Sequence, residues 1–388
     1  MKKLLFIIWT FSMGGGAEKV LAEILNGIDT QKYDVTILEY HKFDMKKEVI
    51  PPDIKVLPPI IVEYNGTNKM KLLINKLKVK FARVSVKYFP YIFRKLYIKD
   101  KYDVEIAFNY MIPTFLLSKQ NNVKKIAWNH CELNDLDYNK EKSKLKKLKS
   151  YTNYKAQKKA FINCDEIVAI SEKNYKSFCD VYPEMKYKSK IIYNGFDLDK
   201  IERMSYETVD LPTDKPLILS VGRMDANKNQ KLILDAALLL KQKGYSFNLV
   251  FAGTGEDEHE LKKYCNSIGM DNDVIWIGYV NNPYPYVKRA DILAITSYNE
   301  GFPTVAIEAL RLKAALISTD VAGIREITDN YKYCKVAEWN AVNYAEKIEE
   351  VLVNLNNLKH IELLEEAKRY VGKFTITNQL EKLYEMIK

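Results

Sequence analysis

Glu300-Gly301-Phe302-Pro303-Thr304-Val305-Ala306-Ile307-Glu308 follows an apolar run, Ile292–Thr296, and a short polar loop. The run reads as a strand and the segment from Pro303 as a helix, because proline's missing N–H does no harm in a first helical turn. Glu300 then lies in the loop before the helix and Glu308 about one and a half turns into it. A helix start offers free amides and the positive end of a dipole, which suit a diphosphate. Two carboxylates there can accept hydrogen bonds from sugar and ribose hydroxyls. Alone, such a pair is equally a capping carboxylate and an ordinary helical Glu. The strand before it and the Gly-Phe-Pro turn inside it favour a binding site.

The same alternation extends in both directions. Leu217–Val221, Asn248–Ala252, Val274–Ile277, Ala315–Ser318 and Lys332–Val336 are further strand candidates, with helical patterns at about 228–243, 257–268, 303–312 and 340–370. An earlier series runs through Leu4–Trp9, Val35–Leu38, Val104–Phe108, Lys124–Trp128, Glu166–Ile170 and Lys190–Tyr193. Ala17, Val20, Leu21, Ile24, Leu25 and Ile28 follow the spacing of an amphipathic helix. Strands alternating with helices predict parallel sheets covered on both faces. The expected architecture is α/β, with two doubly wound Rossmann-like domains facing across a cleft. The first covers 1–195 and the second 216–372, with 196–215 as linker and a C-terminal helix, 373–388, that packs back on the first. In such sheets ligands bind beyond the carboxyl ends of the strands, so active residues are sought just after strands.

Several classes drop out on composition. Five cysteines form no CxxC pair, and four histidines form no HxxxH pair, which argues against a disulfide framework and a zinc site. No stretch approaches 18 consecutive apolar residues, so no spanning helix is expected. Lys2 and Lys3 before Leu4–Phe11 resemble a signal peptide, but the run is short, holds a Trp and leads into Met13-Gly14-Gly15-Gly16, so a first buried strand is expected. The formal charge of +10 favours anionic partners without choosing among them.

Other candidates sit at strand ends. Arg223 and Lys228 follow the first strand of the second series, where such cations neutralise a pyrophosphate. Gly15 and Gly16 lie between the first strand and first helix, and are neither a dinucleotide fingerprint nor a P-loop. His130 follows the strand Lys124–Trp128. Gly253 and Gly255 follow another strand, where a tight turn is as good a reading as a ligand loop. Asp135-Leu-Asp137, Asp197-Leu-Asp199 and Asp271-Asn-Asp273 spell a DxD metal pattern whose scatter shows how cheap it is, and no essential metal or other cofactor is expected.

Through Glu300, Glu308 and the Gly301-Phe302-Pro303-Thr304 between them, the sequence resembles glycosyltransferase family 4, the retaining transferases of GT-B fold, whose E-x7-E motif these residues match. The resemblance spans nearly the whole chain. It implies a nucleoside diphosphate sugar donor, UDP by family frequency, held by the second domain. Glu308 takes the ribose, and Arg223 and Lys228 the leaving diphosphate. Glu300, with the turn Gly301, Phe302, Pro303 and Thr304, takes the sugar, Glu300 as a positioning group. Gly15 and Gly16 face the donor phosphates, His130 orients the reacting sugar, and the first domain takes the acceptor.

Two basic stretches lie in that first half. Residues 66–99 hold ten Lys or Arg and no acid, and residues 140–159 hold nine Lys and one Glu, both interleaved with apolar residues. Such segments lie on anionic bilayers, each basic residue contributing about 1 kcal/mol. A solvated face is the plainer reading. No nucleic-acid motif accompanies the charge, so no nucleic-acid partner is expected. The expected setting is the cytoplasm or the inner face of the cell membrane, in capsular or other surface polysaccharide assembly. The rival readings are a sugar-nucleotide epimerase of related fold and a non-catalytic partner of another transferase, which would have lost its charged site residues.

Overall fold

The computed structural model describes the chain apart from residues 13–14, 44–49, 65, 134–142, 213, 329–332 and 355–369. It divides into two compact units, Met1–Phe196 with Ile376–Lys388, and Asp197–Thr375.

The first unit runs β1 (Lys2–Ile8), α1 (Gly16–Gly27), β2 (Tyr33–Glu39), β3 (His41–Lys42), β4 (Lys55–Val56), β5 (Ile61–Val62), α2 (Lys69–Tyr88), α3 (Pro90–Tyr97), β6 (Val104–Ala107), α4 (Ile112–Phe115), β7 (Lys124–Asn129), α5 (Lys144–Ile162), β8 (Glu166–Ala169), α6 (Glu172–Val181) and β9 (Ser189–Ile191). The second runs α7 (Leu198–Met204), β10 (Leu217–Val221), α8 (Gln230–Gln242), β11 (Asn248–Ala252), α9 (Glu258–Ser267), β12 (Val274–Gly278), α10 (Tyr284–Arg289), β13 (Ile292–Ile295), α11 (Thr304–Leu312), β14 (Ala315–Thr319), α12 (Ile324–Thr328), β15 (Cys334–Ala337) and α13 (Ala341–Asn354). The last helix, α14 (Ile376–Ile387), belongs to the first unit.

Among the described residues the main sheets read β4-β2-β1-β6-β7-β8-β9 and β12-β11-β10-β13-β14-β15, every pairing parallel. Strands covered on both faces need apolar residues at every position, and β1 shows it: Leu4 to Ile8 are all fully buried. Burying each such side chain stabilises the unit by roughly 1.5–3 kcal/mol. The strand order reverses between β1 and β6 in the first unit and between β10 and β13 in the second. These are the switch points where α/β sheets place their ligands.

The C-terminal helix packs on the first unit's own elements. Lys2 Nζ donates to Ile387 O at 2.8 Å, Tyr384 stacks on Tyr33 with centroids 5.4 Å apart, and the Gly195 amide donates to Gln379 Oε1 at 2.9 Å. Gly27 keeps α1 close to α14, since a Cβ there would lie 2.7 Å from Leu380 Cδ1.

The stretch 196–215, read from sequence as a linker, differs. It contains α7, capped by Asp197 Oδ1, which accepts from the Lys200 amide at 2.8 Å. Arg311 on α11 pins it, donating to Leu198 O at 3.1 Å and pairing with Asp199 and Glu202. A polar sequence with proline punctuation conceals this helix, which buries one apolar side chain, Ile201, beside its ion pairs with Arg311. The helical pattern expected over 340–370 is α13 as far as Asn354, and 355–369 lie outside the described residues.

Candidate donor-side site

Two loops meet at the β10/β13 switch point. The first, after β10, carries Arg223 and Lys228; the second, after β13, carries Glu300. Their backbones are stitched together. Tyr298 N donates to Asn227 O at 2.8 Å, Asn227 Nδ2 to Asn299 O at 2.9 Å, and Thr296 Oγ1 to Lys228 O at 2.7 Å. Within the first loop Asp225 Oδ1 accepts from the amides of Asn227 and Lys228, each at 3.1 Å.

These bonds bring Lys228 Nζ into direct contact with Glu300 Oε1, which also accepts from Ser297 Oγ at 2.7 Å. Ser297 is itself held, its carbonyl accepting from Thr319 Oγ1 at 2.7 Å and Trp339 Nε1 at 3.0 Å. The Glu300 carboxylate is thereby fixed from both sides of the switch point. Arg223 is different: its side chain is 67% exposed and pairs with Asp225 Oδ2 at 3.3 Å.

A third loop presses on the first. Gly222 N donates to Ala252 O and Met224 N to Thr254 O, each at 3.0 Å. A Cβ on Gly253 would lie 1.9 Å from Gly222 O, and one on Gly255 2.1 Å from Met224 O. These glycines set how closely two backbones approach, which a lone Gly-x-Gly in sequence does not reveal.

The helix after Glu300 begins at Thr304, and Pro303 stands just before it as the N-cap rather than inside the first turn. Phe302 is buried, T-stacked on Phe374 at 5.3 Å and packed over Gly323, where a Cβ would lie 2.7 Å from its ring. It anchors the turn, while Gly301 and Thr304 are partly exposed. Glu308, on α11, is almost wholly buried.

The first unit holds the remaining candidates. The loop after β1 is clamped by Glu39, whose Oε1 accepts from Phe11 N at 2.7 Å and from Ser12 Oγ. Gly15 caps α1 with an ordinary extended backbone, and its amide donates to the Glu18 carboxylate. A phosphate approaching that amide must displace this carboxylate. Gly14, the first glycine of the run, lies outside the described residues. His130 follows β7 with its ring against Phe108 (centroids 4.5 Å apart) and stacked at 6.5 Å on Trp128. Part of the residue reaches the surface, but its Nε2 is buried with no hydrogen-bond partner among the described residues. Burial pushes the imidazole pKa down to about 3, so the ring is neutral at physiological pH.

Two of the DxD pairs have structural tasks. Asp197 caps α7 while Asp199 meets Arg311, and Asp273 pairs with Lys241. Asp135 and Asp137 lie outside the described residues, as do residues 140–142 of the second basic stretch.

Residues 206–369 match the family model described as glycosyl transferases group 1. An uncharacterized glycosyltransferase of Methanocaldococcus jannaschii is 29% identical over 227 residues, 56% of this chain and 54% of that protein, so that match spans about half its length. A GalNAc-alpha-(1->4)-GalNAc-alpha-(1->3)-diNAcBac-PP-undecaprenol alpha-1,4-N-acetyl-D-galactosaminyltransferase of Campylobacter jejuni is 26% identical over 100% of this chain and 98% of its own. Among solved structures, Anabaena HepE in complex with UDP superposes with a TM-score of 0.67 at 14% identity, covering 100% of this chain and 99% of that one. The parallel sheets with their switch points and these superpositions give the chain the GT-B fold, and its second unit carries the match to glycosyl transferases group 1.

Proposed function

We propose that this chain is a retaining glycosyltransferase that moves a hexose or N-acetylhexosamine from a UDP-sugar to a glycan or lipid-linked oligosaccharide. Its setting is the synthesis of capsular or other surface polysaccharide. The observation that carries the donor reading is the contact of Lys228 with Glu300 at the β10/β13 switch point. Glu308 accepts from the ribose hydroxyls and Glu300 from the sugar. As the bond from the anomeric carbon to the diphosphate breaks, charge grows on the leaving oxygens. In this reading Lys228, held on Glu300, meets that charge, and Arg223 closes on the same group. Such preset donors act on the transition state without reorganising. The acceptor hydroxyl attacks from the same face and gives its proton to the departing diphosphate oxygen, and the neutral His130 accepts or donates one hydrogen bond to the reacting sugar. The two cations supply the positive charge on the diphosphate, so no essential metal is included. The relative's lipid-linked substrate and the neighbour's UDP support the acceptor and donor classes.

Membrane association belongs to the same reading. Among the described residues no helix is long and apolar enough to cross a membrane. On α2 and α3, Leu73, Leu77, Phe81, Tyr88, Tyr91 and Leu96 are all more than half exposed amid lysines. This is the composition of a segment lying on an anionic surface.

The decisive test is a thermal-shift series with UDP, GDP and ADP, since a ligand bound only by the folded state raises Tm. UDP should raise it selectively, and Glu308→Gln should abolish the rise. A shift with GDP or ADP instead removes the UDP assignment. An inverted anomeric centre in the product, read by NMR, removes the retaining one.

A further inference from the structure

The ladder between β7 and β8 has its last rung at Asn129 and Ala169. Beyond it the two chains part. One continues through His130 and Cys131, and the other passes Ile170 and turns into α6. Asn174, in the first turn of α6, fills the fork. Its Oδ1 accepts from Ile170 N at 3.3 Å, and its Nδ2 donates to Cys131 O. The side-chain amide stands where a peptide group would stand and adds one rung just past the end of the ladder. Its partners settle which way it lies, since a backbone N–H needs the oxygen and a carbonyl needs the nitrogen.

This amide is itself firmly held. Asn174 is fully buried, and its own N–H donates to Oγ of Ser171, the N-cap of α6, at 3.2 Å. The same helix meets the loop twice more: Ser177 Oγ accepts from Leu133 N at 3.1 Å, and Lys173 pairs with Glu132 at 3.5 Å. The His130 ring has weaker guides. It packs against Phe108 and Trp128, and its Nε2 has no hydrogen-bond partner among the described residues. Ring contacts limit its tilt but are less directional than a hydrogen bond. The direction in which the ring leaves β7 is therefore set by the backbone, which Asn174 pins one residue on.

We propose that Asn174 is a positioning residue for His130: by bridging Cys131 to Ile170 it fixes how the chain leaves β7, and with it the aim of the imidazole at the reacting sugar. The inference rests on the reading of His130 as the group that orients that sugar.

The test uses the full chain carrying isotope-labelled histidine. The imidazole C–H signal of His130, assigned by its loss in His130→Gln, carries the ring-current shifts of Phe108 and Trp128 and so reports where the ring sits. Asn174→Ala moves that signal at neutral pH toward the free-imidazole position. Asn163→Ala removes a comparable bond, Nδ2 to Ser118 O at 2.8 Å, near the opposite end of β8, and leaves the signal in place. Asn174→Ser, which drops the amide but keeps a buried hydroxyl, is measured in the same way where Asn174→Ala fails to fold. A His130 signal that stays put in the folded variant overturns the proposal. Activity separates the proposal from the reading beneath it. With UDP-glucose and UDP-N-acetylgalactosamine as probes, UDP release is followed. His130→Gln and Asn174→Ala each lower kcat about ten- to a hundredfold with KM nearly constant, and the double variant loses no more than His130→Gln alone. A double loss equal to the product of the two single losses puts the work of Asn174 elsewhere and overturns the proposal. If His130→Gln leaves kcat unchanged while Asn174→Ala moves the signal, the role given to His130 fails and the positioning of its ring by Asn174 stands.

Discussion

Gly253→Ala tests whether the donor loop is held by close backbone approach. The new Cβ would lie 1.9 Å from Gly222 O, and real Cβ contacts essentially never fall under 3.0 Å, so the two loops must part by about 1 Å. Gly253 also has φ +147°, which costs an L-residue roughly 1–3 kcal/mol. Overpacking adds about 1–3 kcal/mol. A loss near 3–4 kcal/mol lowers Tm by about 6–16 °C for a unit of this size. Gly244→Ala separates the two terms. Its φ is +88°, yet nothing lies within 4 Å of its Cβ, so it carries backbone strain alone. Activity should separate the variants further, because displacing a catalytic loop by 1 Å costs about 100-fold. Thermal unfolding and initial rates of sugar transfer measure both. Equal Tm losses in the two variants, with Gly253→Ala fully active, would refute the reasoning.

Lys228→Ala should lower kcat by about 100- to 1000-fold, the usual loss of a preset charge donor, with little change in Tm because the pair is partly solvated; a matching collapse of Tm would instead make Lys228 structural. Ser297→Ala removes one of two bonds that aim Glu300 and should cost about tenfold in kcat, with KM for the donor nearly constant. His130 has its pKa lowered by burial to about 3, so between the unfolded value of 6.5 and that value the unfolded chain binds the extra proton. Stability therefore falls as pH drops through that window, by up to about 1.4 kcal/mol per pH unit, and His130→Gln should flatten this part of a denaturation profile; an unaltered slope contradicts the buried neutral ring. Deleting 376–388 strips Leu380, Leu383 and Ile387 from the first unit and should lower its melting transition, while the second unit, read by its UDP-dependent shift, keeps its own.

All strands of the second sheet and all but β4 of the first were legible, most plainly where burial on two faces writes an unbroken apolar run, as in Leu4–Ile8 or Leu217–Val221; β4 is two exposed residues and leaves no such run. α7, α10 and α12 were not, since five to seven residues are too few to show a helical period and α7 is held by Arg311's ionic contacts. In the candidate site, Glu300, Glu308, Arg223 and Lys228 stood out because their residue types suit the proposed chemistry. Asp225, Asn227, Ser297 and Trp339 did not. Their work is to bond backbone and side chains of other loops, and sequence spacing holds no trace of a bond between Asn227 and Asn299. Phe302 reads from sequence as part of the donor turn, whereas its burial against Phe374 and Gly323 makes it the anchor of that turn.

This division also ranks the two cations. Lys228 is held on Glu300, its backbone amide bonded to Asp225 and its carbonyl to Thr296, so little freedom remains to be lost when charge develops nearby. Arg223 keeps two thirds of its side chain in solvent and one contact at 3.3 Å. Ordering such a side chain on a ligand costs roughly 0.5–1.5 kcal/mol, which at the middle of each range offsets a little under half of what one charge-assisted bond contributes, about 1.5–3 kcal/mol. The two residues are thus unequal although they sit in one loop and carry one charge each. Under the proposed mechanism Lys228 is the fixed part of the electrostatic field. Arg223 is then a clamp, whose contribution grows only once the diphosphate is in place and which should respond more steeply to ionic strength.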